Sequence, residues 1–172
     1  MAADLSRQRR ITLNGQVNDD MARHLQHSLN FQTGQNNKPI EIELTTHGGS
    51  VQDGLAMYDK IMQVRKQGID VNITVFGYAM SMGVPILQAA TTRRAGSNAT
   101  FLMHEVSYGM SGSHAQNKDR IASTDRLAKR LNKIIASRSQ LTEEQIQSLG
   151  ERRDYIFDAE EALAHGLIDE II

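Results

Sequence analysis

Three residues of this chain have types suited to acyl transfer: Ser81, His104 and Asp154. Ser81 follows a run, residues 71–77, in which Val71, Ile73 and Val75 alternate with polar residues at the period of two that a strand requires. Phe76 extends the apolar run into Gly77. From Met82 the pattern changes to the start of a small-residue helix, with Gly83 allowing close backbone approach and Pro85 near the first turn, where proline is tolerated. A serine at such a junction projects from a sharp turn, and the amide after it, that of Met82, lies at the positive end of the helix, where negative charge is stabilised. An acyl-transfer nucleophile needs that arrangement. The plainer reading of Ser81 is a helix N-cap. The G-x-S-x-G elbow pattern is half present, with Ala79 in the place of its first glycine.

His104 stands where the apolar stretch Phe101–Met103 gives way to a polar loop, and histidine is the usual base for a serine hydroxyl. Taken alone, one of six histidines at a strand end is more often a structural or surface residue. His24, His27, His114 and His165 fall in or near helical patterns and read as solvated, whereas His47 adjoins Gly48-Gly49 and is able to line a site. That glycine pair is a turn, or a pair of exposed amides in an oxyanion hole. Asp154 directly precedes an apolar strand, as an orienting carboxylate or as part of a wet charged loop. No His, Asp and Glu residues have metal-ligand spacing, and Gly48-Gly49 matches neither a phosphate-binding loop nor a dinucleotide fingerprint.

The elements that must position these residues follow a strand–helix alternation. Ile11–Asn14 reads as a short strand closed by Gly15, and Asn18 or Asp19 caps a helix carrying Met21, Leu25 and Leu29 on one face. Ile40, Ile42 and Leu44 form the next strand; Ser50, with Asp53 three residues on, caps a helix with Val51, Leu55, Tyr58, Ile61 and Met62 along one face, ended by Gly68. This βαβ rhythm predicts an α/β fold with a parallel sheet and right-handed crossovers. Gly48-Gly49 and Ser81 then fall at the same carboxyl edge, where ligand chemistry concentrates in such sheets. Residues 93–98 read as a loop, 100–104 as a strand, and a glycine-rich stretch over 107–113 leads to a long helix of about 115–137 with Ile121, Leu127, Leu131, Ile134 and Ile135 in register. Its length lets it project and pack on a neighbour. Thr142–Gln145 is a capping box, Tyr155–Phe157 a brief strand, and Asp158 caps a last helix that ends at Gly166.

The 172 residues are 40% hydrophobic and 23% charged, enough for one domain with a real core. A net charge of −1 supplies no electrostatic case for nucleic acid or an anionic membrane. With no cysteine, a disulfide framework, a zinc–thiolate site and a cysteine nucleophile are excluded. Residues 1–10 lack the apolar core of a signal peptide, and no run is long and apolar enough for a membrane span. The reading is a soluble, cytoplasmic, single-domain protein over 1–172, with 1–9 flexible.

Taken together, Thr46-His-Gly-Gly-Ser-Val51, Gly77-Tyr-Ala-Met-Ser-Met-Gly83, Phe101-Leu-Met-His-Glu105, Arg153-Asp154 and the segment from Ala159 to Asp169 closely resemble the proteolytic subunits of Clp proteases, in order and in spacing, from Arg10 to Ile172. The resemblance implies a ClpP/crotonase-like spiral of βαβ units with a projecting handle over about 107–137. It makes Ser81 the nucleophile, His104 the base and Asp154 the orienting acid, with oxyanion amides on Gly49 and Met82. Gly109 and Gly112 fall on the glycine-rich strand that binds extended peptide, Gly48 and Ser50 are further substrate-binding positions, and Arg153 matches a ring-interface arginine. The implied activity is an ATP-independent serine endopeptidase core acting on peptides or unfolded proteins without metal or cofactor. The implied partner is its own copy, in a heptameric ring, single or stacked in pairs through the handle. The chain departs from the family at His47, where proline is usual, at Met80, at Glu105-Val106 in place of Gln-Pro, and at Gly96–Asn98. Little sequence precedes Arg10 for the family's first helix and gating loops, so docking to an AAA+ unfoldase is the weakest of the implied partnerships. A catalytically silent ring subunit and a crotonase-like acyl-CoA enzyme are the competing readings.

Overall fold

The computed structural model describes residues 9–106 and 112–172. Its elements are β1 (Arg10–Val17), α1 (Asp19–Gln35), β2 (Ile40–Gly49), α2 (Val51–Lys66), β3 (Val71–Met80), α3 (Gly83–Leu87), β4 (Arg93–Ala95), β5 (Thr100–Met103), α4 (His114–Ala136), α5 (Glu143–Gly150), β6 (Tyr155–Asp158), α6 (Ala159–Ala164) and β7 (Glu170–Ile171). Among the described residues they build one seven-stranded sheet in the order β1-β2-β3-β4-β7, with β5 pairing β3 and β6 pairing β5. Every pairing is parallel except β5–β6. The parallel-dominated α/β architecture expected from the βαβ rhythm is the one observed.

Alternation sets the faces. Ile40, Ile42 and Leu44 of β2 are fully buried, and so are Leu25 and Leu29 of α1 and Met57, Ile61 and Val64 of α2. The caps are the residues the sequence offers. The Asn18 side chain accepts the Met21 amide, the Ser50 hydroxyl accepts the Asp53 amide, and Ser113 and Thr142 each close a reciprocal capping box.

Three strands differ from expectation. β1 runs on through Gly15 to Val17, absorbing a register shift between Gly15 and Gln16. β3 continues past Phe76 to Met80, because its first half pairs with β4 and its second half with β5. The polar segment 93–98, expected as a loop, begins with β4.

β4 was hidden by its arginines. Arg93 is only 5% exposed, and its guanidinium donates to Gln88 Oε1 at 2.6 Å, to the Gly166 carbonyl at 2.8 Å, to the Arg138 carbonyl and to Asp169. Its backbone amide also donates to Asp169 Oδ2 at 2.7 Å. Burial alone would push the Asp169 carboxyl up, but hydrogen bonds from Arg93 overcome that effect and hold it below the usual range. This one side chain joins α3, β4, the end of α4 and the loop before β7.

Among the described residues, the core contacts of α4 lie toward its C-terminal end. At 1.5 Å per residue its 23 residues span about 35 Å. Leu131 and Ile135 in its last turns are buried, while Ile121 is 41% exposed. No helix among the described residues is long and apolar enough to cross a membrane.

Candidate active site

Ser81 sits directly after β3 with φ of 51°, a left-handed conformation uncommon for a non-glycine residue. Such strain is tolerated only where the surroundings fix it, and it concentrates at functional sites. Here the Ser81 amide donates to the Leu102 carbonyl at 2.8 Å, and the Ser81 carbonyl accepts the Val84 amide at 3.1 Å. β3 and β5 run parallel with Met80 beside Leu102, so Ser81 and His104 emerge from adjacent strands at one edge. His104 Nε2 lies 2.9 Å from Ser81 Oγ, a hydrogen bond in which the imidazole is able to accept the hydroxyl proton.

The glycine pair is fitted to this elbow. Gly48, with φ of 88°, lies so close to Ser81 that a Cβ would stand 2.7 Å from the Ser81 Cβ and 2.9 Å from the Met82 amide nitrogen. At Gly49 a Cβ would meet the Val17 carbonyl oxygen at 2.2 Å. The Val17 carbonyl accepts the Ser50 amide at 2.8 Å, tying the end of β2 to β1, and Gly49 lines the cleft with Ser81 and Met82. Thr46 sets this turn: its hydroxyl accepts the Gly48 amide at 3.0 Å and donates to the Gly15 carbonyl at 2.7 Å. Sequence reading overlooked Thr46; a buried hydroxyl two residues before a glycine pair is the signal that would have found it.

A cleft of about 510 Å³ opens from Ser81 and His104 toward α4 and α5. Met82, Pro85, Met103, Leu131, Ile135 and Ile146 give it an apolar floor, while Glu105, Asp125 and Lys129 are the charged side chains along it. His47 is not among its lining residues; it stacks on Tyr78 with ring centroids 4.2 Å apart.

β5 and β6 are antiparallel and their ladder ends with Met103 opposite Tyr155, so His104 and Asp154 are the residues just beyond that end. Asp154 is exposed, and among the described residues no hydrogen bond joins its carboxylate to His104. Nor does any group of three His, Asp or Glu residues there have the arrangement of metal ligands.

A family model described as Clp protease matches residues 1–172. This chain belongs to the Clp protease family. Its relatives include proteins of Streptococcus pyogenes serotype M5 (strain Manfredo) and serotype M49 (strain NZ131), each named ATP-dependent Clp protease proteolytic subunit. Each is 38% identical over 174 residues, covering 98% of this chain and 86% of the relative. The chain is a serine-type endopeptidase of that family, as the motifs around Ser81 and His104 led us to expect.

For a Clp protease the remaining residues fall as follows. Ser50 caps α2, its hydroxyl occupied by the Asp53 amide at 3.3 Å. Gly112 precedes the Ser113 cap of α4, and its carbonyl accepts from Asn117 at 3.5 Å. Gly109 lies outside the described residues. Arg153 is exposed and donates to the Leu149 carbonyl at 3.3 Å. His165, expected to be solvated, is instead half-buried against Tyr155 and Phe157, because the strand carrying those rings lies beside the end of α6.

Proposed function

We propose that Ser81, His104 and Asp154 act as nucleophile, base and orienting acid in the hydrolysis of peptide bonds within extended or unfolded polypeptides. The 2.9 Å contact between His104 Nε2 and Ser81 Oγ carries this reading. As Oγ attacks a peptide carbonyl, His104 takes its proton, then returns it to the departing amine; water hydrolyses the acyl-enzyme by the same route. The Gly49 and Met82 amides receive the oxyanion, each worth roughly 2.7–4 kcal/mol of barrier if it behaves as such donors do elsewhere. Asp154 fixes the imidazole tautomer and stabilises its charged form. Substrate lies extended along the glycine-rich segment that includes Gly109 and Gly112, bonded through its backbone, with Gly48 and Ser50 shaping the strand end beside it. Hydrolysis itself draws on no nucleotide, metal or cofactor. The ATP dependence in the names of the relatives is that of those proteins; an AAA+ unfoldase acting on this chain would serve to deliver substrate.

The working form we propose is a homo-oligomeric ring of single-domain subunits in the cytoplasm. The apolar register of α4 supports it, since Ile121 and Leu127 extend the stripe of Leu131 and Ile135 beyond the part that the chain itself covers. A second copy of α4 matches that stripe, and Arg153 is available on the surface for the neighbouring subunit. Seating of α4 and β6 in the assembly would bring Asp154 onto His104.

The test is labelling with a fluorophosphonate probe, mapped by peptide mass spectrometry, beside native mass of the same sample. The expected adduct is on Ser81, in a species many times the chain's 19.2 kDa. Ser81→Ala should lose the label and lower turnover of a fluorogenic peptide by about 10⁶-fold while leaving the native mass unchanged. Turnover near that of the unmodified protein in this variant would overturn the assignment.

A further inference from the structure

Among the described residues the Asp154 side chain has no hydrogen-bonded anchor, so its position depends on the strand it leads into. The first residue of that strand, Tyr155, is held unusually firmly. Its ring stacks on Phe157 with centroids 5.0 Å apart, and Phe157 stacks on Phe101 of β5 at 5.4 Å. Its hydroxyl donates to the Glu161 carboxylate, and its oxygen lies 3.0 Å from His165 Nε2, which is positioned to donate to it. Glu161 lies within α6 and His165 at its C-terminal cap, with His165 Nε2 3.6 Å from Glu161 Oε1. α6 is a firm base, because Ala159 and Ala162 are fully buried and Asp158 caps its first turn through the Glu161 amide at 2.9 Å. Burial and the bond to Glu161 push the Tyr155 hydroxyl up to about 12, so it remains a donor throughout the working range of a peptidase.

The consequence lies one residue away. Along a strand successive side chains alternate between faces, so a one-residue slip of β6 would carry Asp154 to the face away from His104. β6 has four residues, and the pairs from Met103–Tyr155 to Thr100–Asp158 are its whole ladder with β5. The buried Phe157–Phe101 pair favours one register in the middle of this ladder, and the hydroxyl of Tyr155 is what fixes its end next to Asp154.

We infer that Tyr155 is a positioning residue for catalysis: its hydroxyl, clamped by Glu161 and His165, holds β6 in the register that sets Asp154 opposite His104. This rests on the proposed role of Asp154 as the orienting acid. The charged and titratable groups facing the clamp are Glu161 and His165 from α6 and Arg153 from the lead into β6. Those around His104 along the cleft are Glu105, Asp125 and Lys129, and none of them belongs to the clamp.

The experiment compares the full-length protein with Tyr155→Phe, Glu161→Gln, Asp154→Asn and the Tyr155→Phe/Asp154→Asn double variant. The readouts are kcat and KM on a fluorogenic peptide across pH, with thermal unfolding alongside. Tyr155→Phe keeps the ring packing and removes only the clamp. It should lower kcat about tenfold with KM within twofold, as expected for a misplaced catalytic group. A carboxylate beside an imidazole favours the charged ring, so losing Asp154 from its place should move the acid limb of kcat/KM to lower pH. Asp154→Asn should move the limb in the same direction with a larger fall in kcat, and adding Tyr155→Phe to it should change the residual rate less than twofold. Glu161→Gln keeps an acceptor for the hydroxyl and should fall between wild type and Tyr155→Phe. A lower unfolding temperature for Tyr155→Phe with an unmoved pH profile would make Tyr155 merely structural and overturn the inference, as would full additivity with Asp154→Asn. Wild-type kinetics in Asp154→Asn would instead overturn the role of Asp154 itself, a separate and distinguishable failure.

Discussion

The two walls of the cleft are held in opposite ways. On one side Ser81, Met82, Gly48 and Gly49 stand at the ends of β2 and β3, over a core in which Leu44, Val75, Ala79 and Ile86 are fully buried. Their positions are set by contacts that tolerate no added carbon atom. On the other side, among the described residues, α4 buries Leu131 and Ile135 in the core from its last turns, and Asp154 leads into a four-residue strand at the margin of the sheet. The proposed nucleophile and oxyanion donors are thus positioned by the chain's own packing, while the proposed acid hangs on a few directed bonds.

The sharpest way to break this contrast is at Arg93, whose bonds hold the far wall to the near one. Arg93→Met fills similar volume but strands Asp169, Gln88 and two carbonyls, and we expect a loss of about 3 kcal/mol, the lower end for breaking a buried pair because Asp169 remains 38% exposed. The pH dependence carries a sign. The Asp169 carboxyl is depressed in the folded state, so its contribution is present above the unfolded value near 4 and is lost as pH falls through the folded value. Urea midpoints of Arg93→Met and wild type should therefore differ at pH 7 and draw together as pH falls from about 4 through the folded value. A gap of the same size at both pH values would contradict this account.

A smaller effect on stability, concentrated in activity, is expected at the near wall. Gly48→Ala combines a left-handed φ with a Cβ 2.8 Å from the Met80 carbonyl oxygen and 2.7 Å from the Ser81 Cβ. We expect about 1–3 kcal/mol from the strained backbone and about a hundredfold fall in kcat as the elbow shifts. Fluorophosphonate labelling rate, read against the unfolding midpoint, separates displacement of Ser81 from general unfolding.

The same contrast explains what the sequence made legible. The wall that carries Ser81 was readable as structure because its local signals agree: alternation in β3, small residues after Ser81, a glycine pair before a capped helix. The helices were readable down to individual caps, as at Ser50, Thr142 and Asp158. β4 was not, because Arg93 and Arg94 look like a wet loop unless one knows that Asp169, 76 residues away, receives the first of them. The clamp on Tyr155 was invisible for the same reason: His165 reads as solvated until β6 is laid beside α6. Periodicity reports what a segment does for itself, and these residues act through partners distant in sequence.

The smallest change in the folded chain, and the most informative about its surroundings, is expected on the projecting end of α4. Ile121 is 41% exposed, so Ile121→Arg removes little buried apolar area and should alter the stability of the isolated subunit by no more than about 0.5 kcal/mol. If the uncovered stripe is where a second copy packs, the same variant places a charge against an apolar partner, and native mass should fall to a smaller species. Peptide turnover should fall with it, since the acid wall would lose its support, while the Ser81 elbow, anchored in β3 and β5, keeps its geometry. Fluorophosphonate labelling should then decline less than turnover does. Unchanged native mass would show that α4 projects for some purpose other than joining copies, and would leave the placement of Asp154 to the clamp within its own chain.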